Sequence, residues 1–166
     1  MAALDLQPGA RVVEIGPGSG YFTVRVARAV APDGLVYALD ISAEMLDALR
    51  RRLEVEGLNN VRLQKIEPHD PSLPDGIDLV LMVDVLHYVA DKPAYGRKLR
   101  AGLRQGARVA VVDYRPKSME ERPWGPPPEQ QVSEEDINSA MTAAGFVVDE
   151  AHDFLTEQYL FVYRAA

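Results

Sequence analysis

Five consecutive residues near the start of the chain, Gly16-Pro17-Gly18-Ser19-Gly20, constrain its fold more than any other segment. They follow a short apolar run, Arg11–Ile15, and precede Tyr21–Val30, where apolar residues recur at the spacing of one helix face. Glycine allows a sharp turn and a close backbone approach, because it has no Cβ. The sequence therefore predicts a strand, a tight turn and a helix, with free N–H groups of the helix at the turn.

The alternation of strand and helix continues along the chain. Further strands are predicted at residues 35–39, 61–66, 77–83 and 108–113, and further helices from Ser42 to Gly57, at residues 92–103 and from Ser133 to Gly145. Ser42 and Ser133 are typical helix N-caps. This order predicts an α/β fold, a Rossmann-like, doubly wound and mostly parallel sheet in a single domain over residues 1–166.

The last third of the chain departs from this alternation. Residues 115–131 contain five prolines, which exclude regular structure and predict a long loop that acts as a lid. Trp124 in this loop is predicted either to cover a pocket or to anchor the loop. Two strand-like runs follow, residues 146–154 and 158–164, and the about three residues between them are too few for a parallel crossover. They predict a C-terminal antiparallel hairpin.

Composition excludes several classes of function. The 166 residues, 47% of them hydrophobic, suit one domain with a single core. The net charge of -7 disfavours nucleic acid and anionic lipid surfaces as partners. The absence of cysteine removes thiolate metal sites and cysteine nucleophiles, and no metal is expected. We find neither a secretion signal nor a membrane-spanning run and therefore expect a cytoplasmic location.

Several polar residues converge on the predicted glycine turn. Ligands of parallel sheets bind beyond the carboxyl ends of the strands, where the chain order reverses. Gly16, Gly18 and Gly20 belong there, and Asp40, at the end of the second strand, can accept both hydroxyls of a ribose. Glu14 places a carboxylate under the turn, which favours an ammonium or sulfonium over a diphosphate. A dinucleotide site would need a small residue at position 21, which is tyrosine. The pattern favours S-adenosylmethionine over NAD or FAD.

Three segments resemble those of class I S-adenosylmethionine-dependent methyltransferases. Val12-Val13-Glu14-Ile15-Gly16-Pro17-Gly18-Ser19-Gly20 is similar to the first motif of this family, Tyr37-Ala38-Leu39-Asp40-Ile41-Ser42 to its second-strand motif, and Leu73-Pro74-Asp75-Gly76-Ile77-Asp78-Leu79-Val80 to its approach to strand four. The terminal hairpin also matches the family's fold. The resemblance implies a sheet of about seven strands, a methionine moiety near Glu14 and Gly16, and a ribose on Asp40.

The resemblance implies further contacts to the cofactor. The additional residues expected to bind it are Pro17, Ile41, Glu67, His69, Asp70 and Val83. The adenine is expected between Ile41 and the loop after the third strand, whose Glu67, His69 and Asp70 are alternatives for its amino group. Pro68 in this loop has no N–H to offer.

The resemblance also places the active site at the end of the fourth strand, with Asp84, His87 and Tyr88 as catalytic candidates. His87 is a candidate general base because imidazole titrates near neutral pH. Tyr88 is expected to line the acceptor pocket. The alternatives are a helix cap or buried structural carboxyl for Asp84 and a surface or packing residue for His87. A base is needed only where the acceptor must lose a proton, so alignment and exclusion of water can carry much of the catalysis.

These observations predict methyl transfer to a small-molecule N, O or C nucleophile. The acidic charge and the lack of an Asn/Asp-Pro-Pro-aromatic segment after the fourth strand disfavour nucleic acid acceptors. Because ten residues precede the first strand, we expect little N-terminal cover over the site, which the 115–131 loop or a second copy in a homodimer would close. The alternatives are a non-catalytic S-adenosylmethionine-binding protein or partner subunit, and an NAD-dependent oxidoreductase.

Overall fold

The structure is a computed structural model that describes residues 1–166. Its strands are β1 (Arg11–Ile15), β2 (Leu35–Asp40), β3 (Val61–Lys65), β4 (Ile77–Val83), β5 (Leu103–Tyr114), β6 (Phe146–His152) and β7 (Gln158–Ala165). Its helices are α1 (Tyr21–Val30), α2 (Ala43–Val55), α3 (Lys92–Gly102) and α4 (Glu134–Ala143), and 3-10 turns cover Ala2–Leu4, Leu86–Tyr88 and Pro128–Gln130. None of the helices has the length and apolar character needed to span a bilayer.

The seven strands form one sheet in the order β3-β2-β1-β4-β5-β7-β6. β1 to β5 pair in parallel, whereas β7 is antiparallel to both of its neighbours, β5 and β6. This confirms the predicted Rossmann-like sheet with its C-terminal hairpin. The chain order reverses between β1 and β4, so the carboxyl ends of these two strands mark the expected ligand position.

Helices cover both faces of the sheet. α1 packs on β1 and β2, and α2 packs on β2 and β3. On the opposite face, residues of α3 and α4 such as Tyr95 and Ile137 belong to the largest core cluster, of 21 buried residues. On the α1 face, Leu4 of the first turn shares a second cluster with strand residues such as Leu81. Burial of these apolar side chains on both faces provides the main stabilisation of the sheet.

The local signals predicted most helix boundaries and missed two details of the strands. Ser42 and Ser133 cap α2 and α4 through their hydroxyls, as predicted. The fifth strand begins at Leu103 rather than at residue 108. Gly106, with a φ of +79°, does not separate the strand from α3 but lies within it, at an irregularity in the pairing with β4. The hairpin loop spans residues 153–157, longer than predicted, because β6 ends at His152.

The proline-rich loop, residues 115–131, is ordered by polar contacts within itself. The buried Arg122 guanidinium donates to the carbonyls of Arg115 and Trp124, at 2.9 and 3.2 Å. Trp124 packs edge-on against the ring of Tyr114, with centroids 5.9 Å apart, and stays 53% exposed. These contacts favour the role of an anchor for Trp124, and closure of the site by this loop stays a prediction.

Candidate cofactor and acceptor site

A cavity of about 340 Å³, the first cavity, opens beyond the carboxyl ends of β1 to β4 at the switch point. Its apolar wall lies on the α3 face of the sheet, where Ile15, Leu39 and Ile66 belong to the same core cluster as Tyr95. Seven of the residues predicted from the sequence line it: Gly16, Gly18, Asp40, Ile41, Glu67, Asp84 and Tyr88. The parallel register of the sheet brings these side chains together, since each follows or ends a strand.

The glycine turn shapes the rim of the first cavity. Gly16, Gly18 and Gly20 all have positive φ, at +67°, +52° and +79°. A Cβ on Gly16 would come within 2.5 Å of Val85 Cγ2, so this glycine lets β1 and the segment after β4 approach closely. A Cβ on Gly18 would meet no atom within 4 Å, although Gly18 lines the cavity. Gly18 therefore leaves open space where a ligand can contact the backbone.

We expect Gly18→Ala to weaken binding of S-adenosylhomocysteine by about tenfold or more, about 1.4 kcal/mol, because the added methyl group enters the first cavity. The matched control is Gly57→Ala. Gly57 also has positive φ, +66°, and open space at its Cβ, but it lies after α2, outside the cavity. Both variants should lose about 1 kcal/mol of folding stability. Titration calorimetry and denaturant unfolding separate the two effects, and equal ligand affinities for both variants would contradict this role of Gly18.

Asp40 and Glu14 occupy different positions relative to the first cavity. Asp40 Oδ1 accepts a hydrogen bond from the Ser42 backbone N–H at 2.9 Å, which fixes the carboxylate and leaves Oδ2 for a ligand. Glu14 is buried and lies outside the lining, where its Oε2 accepts a hydrogen bond from Thr23 Oγ1 at 2.5 Å. Burial raises the pKa of Glu14 to about 7, against an opposing effect of Thr23. Contact between Glu14 and a methionine moiety stays a prediction.

The residues of the loop after β3 differ in whether they line the first cavity, where the adenine contact is expected. Glu67 lines the first cavity, and Pro68, which has no N–H, contributes to its wall. His69 and Asp70 do not line it. The loop turns back in a bridge between Glu67 and Asp70, and Lys98 of α3 binds the His69 carbonyl at 2.9 Å and lies 3.5 Å from Asp70 Oδ2. Pro17 and Gly20, two predicted contacts in the glycine turn, are also absent from the lining.

The end of β4 separates the first cavity from another of about 350 Å³, the second cavity. Val83, predicted as a cofactor contact, lines the second cavity and not the first. The reason is strand alternation, because Val83 shares the α1 face with Leu81. Asp84 lines both cavities and has a φ of +56°, rare for a residue with a Cβ. Its Oδ1 accepts a hydrogen bond from Gln158 Nε2 at 2.7 Å, and burial raises its pKa.

His87 forms a buried pair with Asp113, a residue that the sequence reasoning missed. His87 Nδ1 lies 2.7 Å from Asp113 Oδ1, and the His87 backbone N–H donates to Asp113 Oδ2 at 3.0 Å. This arrangement assigns the proton to Nδ1, and His87 Nε2 is buried without a partner. His87 lines neither cavity. Tyr88, 69% exposed, packs against the His87 ring in a tilted arrangement with centroids 4.1 Å apart, and it lines the first cavity. A role of His87 as a base stays a prediction.

Asp113→Asn should destabilise the fold by about 1 to 3 kcal/mol, because the amide cannot accept from all the donors that the carboxylate pairs. Asp113 accepts from the His87 ring, the His87 N–H and the Tyr114 N–H. Asp149→Asn is the control, since Asp149 is exposed and forms a surface ion pair with Arg164, worth less than about 1 kcal/mol. Denaturant unfolding measures both, and equal losses would show that the Asp113 contacts carry no special stabilisation.

No group of three or more His, Cys, Asp or Glu side chains is arranged to hold a metal ion.

Comparisons with known proteins agree with this architecture. A family model described as a methyltransferase domain matches residues 13–109. The crystal structure of a SAM-dependent methyltransferase from Aquifex aeolicus superposes with a TM-score of 0.90 at 25% identity, covering 99% of this chain and 88% of that one. An uncharacterised protein of a Streptomyces fradiae transposon is 36% identical over 66% of this chain and 31% of its own length. A ubiquinone/menaquinone biosynthesis C-methyltransferase of Hahella chejuensis is 30% identical over 66% of this chain and 45% of its own length. The chain thus spans less than half the length of these two curated relatives.

Proposed function

The chain belongs to the methyltransferase domain family, with the fold of class I S-adenosylmethionine-dependent methyltransferases, and from this premise we propose that it transfers a methyl group from S-adenosylmethionine to a small-molecule N, O or C nucleophile. The observation that carries this proposal is the meeting of Gly18 and Asp40 at one cavity of about 340 Å³ at the switch point. Neither residue alone would distinguish a cofactor site from a tight turn.

The residues of the first cavity suit the parts of this cofactor. Asp40 offers a fixed carboxylate oxygen for ribose hydroxyls, and Gly18 offers open space and backbone. Ile41 and Pro68 provide apolar walls for a planar base, and Glu67 beside them can accept from an amino group. The negative charge of Asp40, Glu67 and Asp84 favours a cationic ligand over a diphosphate.

When bound, S-adenosylmethionine supplies an electrophilic methyl group on a sulfonium, whose carbon–sulfur bond breaks as the acceptor's lone pair bonds to carbon. The protein's part is then alignment and exclusion of water. Asp40 orients the nucleoside, and Val85, Val89 and Tyr88 form the side of the cavity after β4. Asp84, at the border of both cavities, is the carboxylate placed closest to an acceptor that enters from the second cavity.

Turnover tests the proposal against its alternatives. Incubation with S-adenosylmethionine and a panel of phenols, amines and carbon acids should yield S-adenosylhomocysteine, detected by mass spectrometry. Binding of S-adenosylmethionine without turnover on the panel would favour a non-catalytic binding protein or partner subunit, an alternative that the burial of His87 supports. Binding of NADH but not of S-adenosylmethionine would favour an oxidoreductase and contradict the proposal.

Two further expectations belong to this proposal. The chain is expected in the cytoplasm, with which its cysteine-free composition is compatible. The exposure of Ile41 and Tyr88 at the first cavity, 54% and 69%, supports a homodimer in which a second copy covers the site. Light scattering of the protein as it elutes from a size-exclusion column measures its mass in solution.

A further inference from the structure

The two cavities lie on opposite faces of the sheet and meet at one residue. The wall of the first cavity includes Ile15 and Leu39, which face α3, whereas the second includes Leu81, which faces α1. Asp84 is the only residue that lines both. A molecule in the second cavity would therefore approach one in the first at the end of β4.

The second cavity lies where the helices cover the sheet incompletely, and Phe22 is the one residue of α1 in its lining. α1 and α2 pack over β1 to β3, and the α1 face of β4, β5 and β7 is instead roofed by residues of the first turn and of the 153–157 hairpin loop. Its floor comes from the strand residues Leu81, Val83, Val112 and Leu160. Phe154 and Leu155 of the hairpin loop form part of the roof.

The lining of the second cavity is predominantly apolar. Eleven of its thirteen lining residues are hydrophobic, and the two others are Asp84 and Gln158, which are hydrogen-bonded to each other. The hydroxyl-bearing Tyr114 also belongs to the lining. No basic side chain lines the cavity. Arg122 lies outside the lining and stacks on Tyr114 at 4.7 Å, where its Nε and Nη1 donate to backbone carbonyls and its Nη2 is buried without a partner.

We propose that the second cavity binds the methyl acceptor and selects an apolar compound that has no anionic group and whose nucleophilic atom donates a hydrogen bond to Asp84. This inference rests on the proposed function and adds the class of acceptor to it. A volume of about 350 Å³ accommodates a substituted aromatic ring or a short alkyl chain. An anion would be buried beside the Asp84 carboxylate, and no Lys, Arg or His side chain lines the cavity to pair with it, which is unfavourable.

Methyl NMR of the full chain distinguishes the two cavities, because each has its own set of methyl-bearing residues. The first set is Ile15, Leu39, Ile41, Ile66, Val85 and Val89. The second set is Leu4, Leu81, Val83, Val112, Leu155 and Leu160. With S-adenosylhomocysteine present, para-butylphenol should shift signals of the second set and saturate, and para-butylbenzoate should bind at least about tenfold more weakly.

Two variants that fill the second cavity complete the test. Val83→Phe, and Leu155→Trp in the hairpin loop in case the first does not fold, should each weaken para-butylphenol at least about tenfold. Neither should change the affinity for S-adenosylhomocysteine. Val55→Phe, at an 88% exposed position of α2 outside both cavities, should change neither affinity.

Three results would overturn the inference: no shift in the second set, equal binding of the phenol and the benzoate, or undiminished phenol binding by the filled variants. A failure of the proposed function looks different. In that case S-adenosylhomocysteine leaves the methyl signals of the first set unshifted, whether or not para-butylphenol shifts those of the second set.

Discussion

Asp40→Ala should weaken binding of S-adenosylmethionine by about 10- to 150-fold, which corresponds to the about 1.5 to 3 kcal/mol of a hydrogen bond to a charged group. The carboxylate is held by the Ser42 backbone N–H at 2.9 Å and lines the first cavity at the end of β2. Its orientation is therefore fixed before a ligand arrives, and little ordering cost offsets the interaction. Titration calorimetry measures the affinity directly.

The matched control for this prediction is Asp33→Ala. Asp33 is an exposed residue in the turn between α1 and β2, at the opposite end of β2 from Asp40. Asp33→Ala changes the net charge by the same amount as Asp40→Ala and leaves the lining of the first cavity unchanged. If Asp40→Ala and Asp33→Ala bind S-adenosylmethionine equally well, Asp40 does not hold the ribose.

Glu14→Gln should raise the free energy of unfolding at about pH 8 by about 3 kcal/mol over the natural protein and change it little at about pH 5. Burial raises the pKa of Glu14 from an ordinary 4.5 to about 7 in the folded chain. The folded state therefore binds the proton more tightly than the unfolded state does. The natural protein loses stability as pH rises from about 4.5 to about 7, and the loss then levels off. The glutamine keeps the shape without a buried charge.

Denaturant unfolding at a series of pH values measures this difference. Glu54→Gln, at an exposed position of α2, changes the net charge equally without removing a buried carboxyl. A Glu14→Gln variant whose stability runs parallel to that of the natural protein from about pH 5 to about pH 8 would contradict the shifted pKa.

The same variant tests the predicted contact of Glu14 with a cationic ligand. A methionine ammonium or sulfonium above the glycine turn would favour the ionised carboxylate. The affinity for S-adenosylmethionine should then rise as pH increases through about 7, and Glu14→Gln should abolish that dependence. A pH-independent affinity in the natural protein would place the ligand's charge away from Glu14.

The parts of the site that the sequence predicted are those set by local pattern. Gly16, Gly18 and Asp40 stand at the ends of apolar runs, and parallel strands bring such ends to one edge of the sheet. The N-caps Ser42 and Ser133 are also local signals. For these residues, the position in the sequence was sufficient to predict their position in the fold.

The parts that sequence reasoning missed depend on distant pairing. Asp113 meets His87 only because β5 lies beside β4, although its polar position at the end of an apolar run was a usable signal. Tyr95 reaches the first cavity from α3, and no local pattern shows which helix residue extends past a strand end. Val83 lines the second cavity rather than the first; because both faces of β4 are apolar, the sequence does not show on which face it lies, and its contact with the cofactor stays a prediction.

A crystal structure with S-adenosylhomocysteine tests the central claim most directly. We predict that the ligand occupies the first cavity, with its ribose hydroxyls on Asp40, its adenine between Ile41 and Pro68, and its sulfur directed towards Asp84. A ligand bound elsewhere, or one in the first cavity whose ribose does not contact Asp40, would contradict the account.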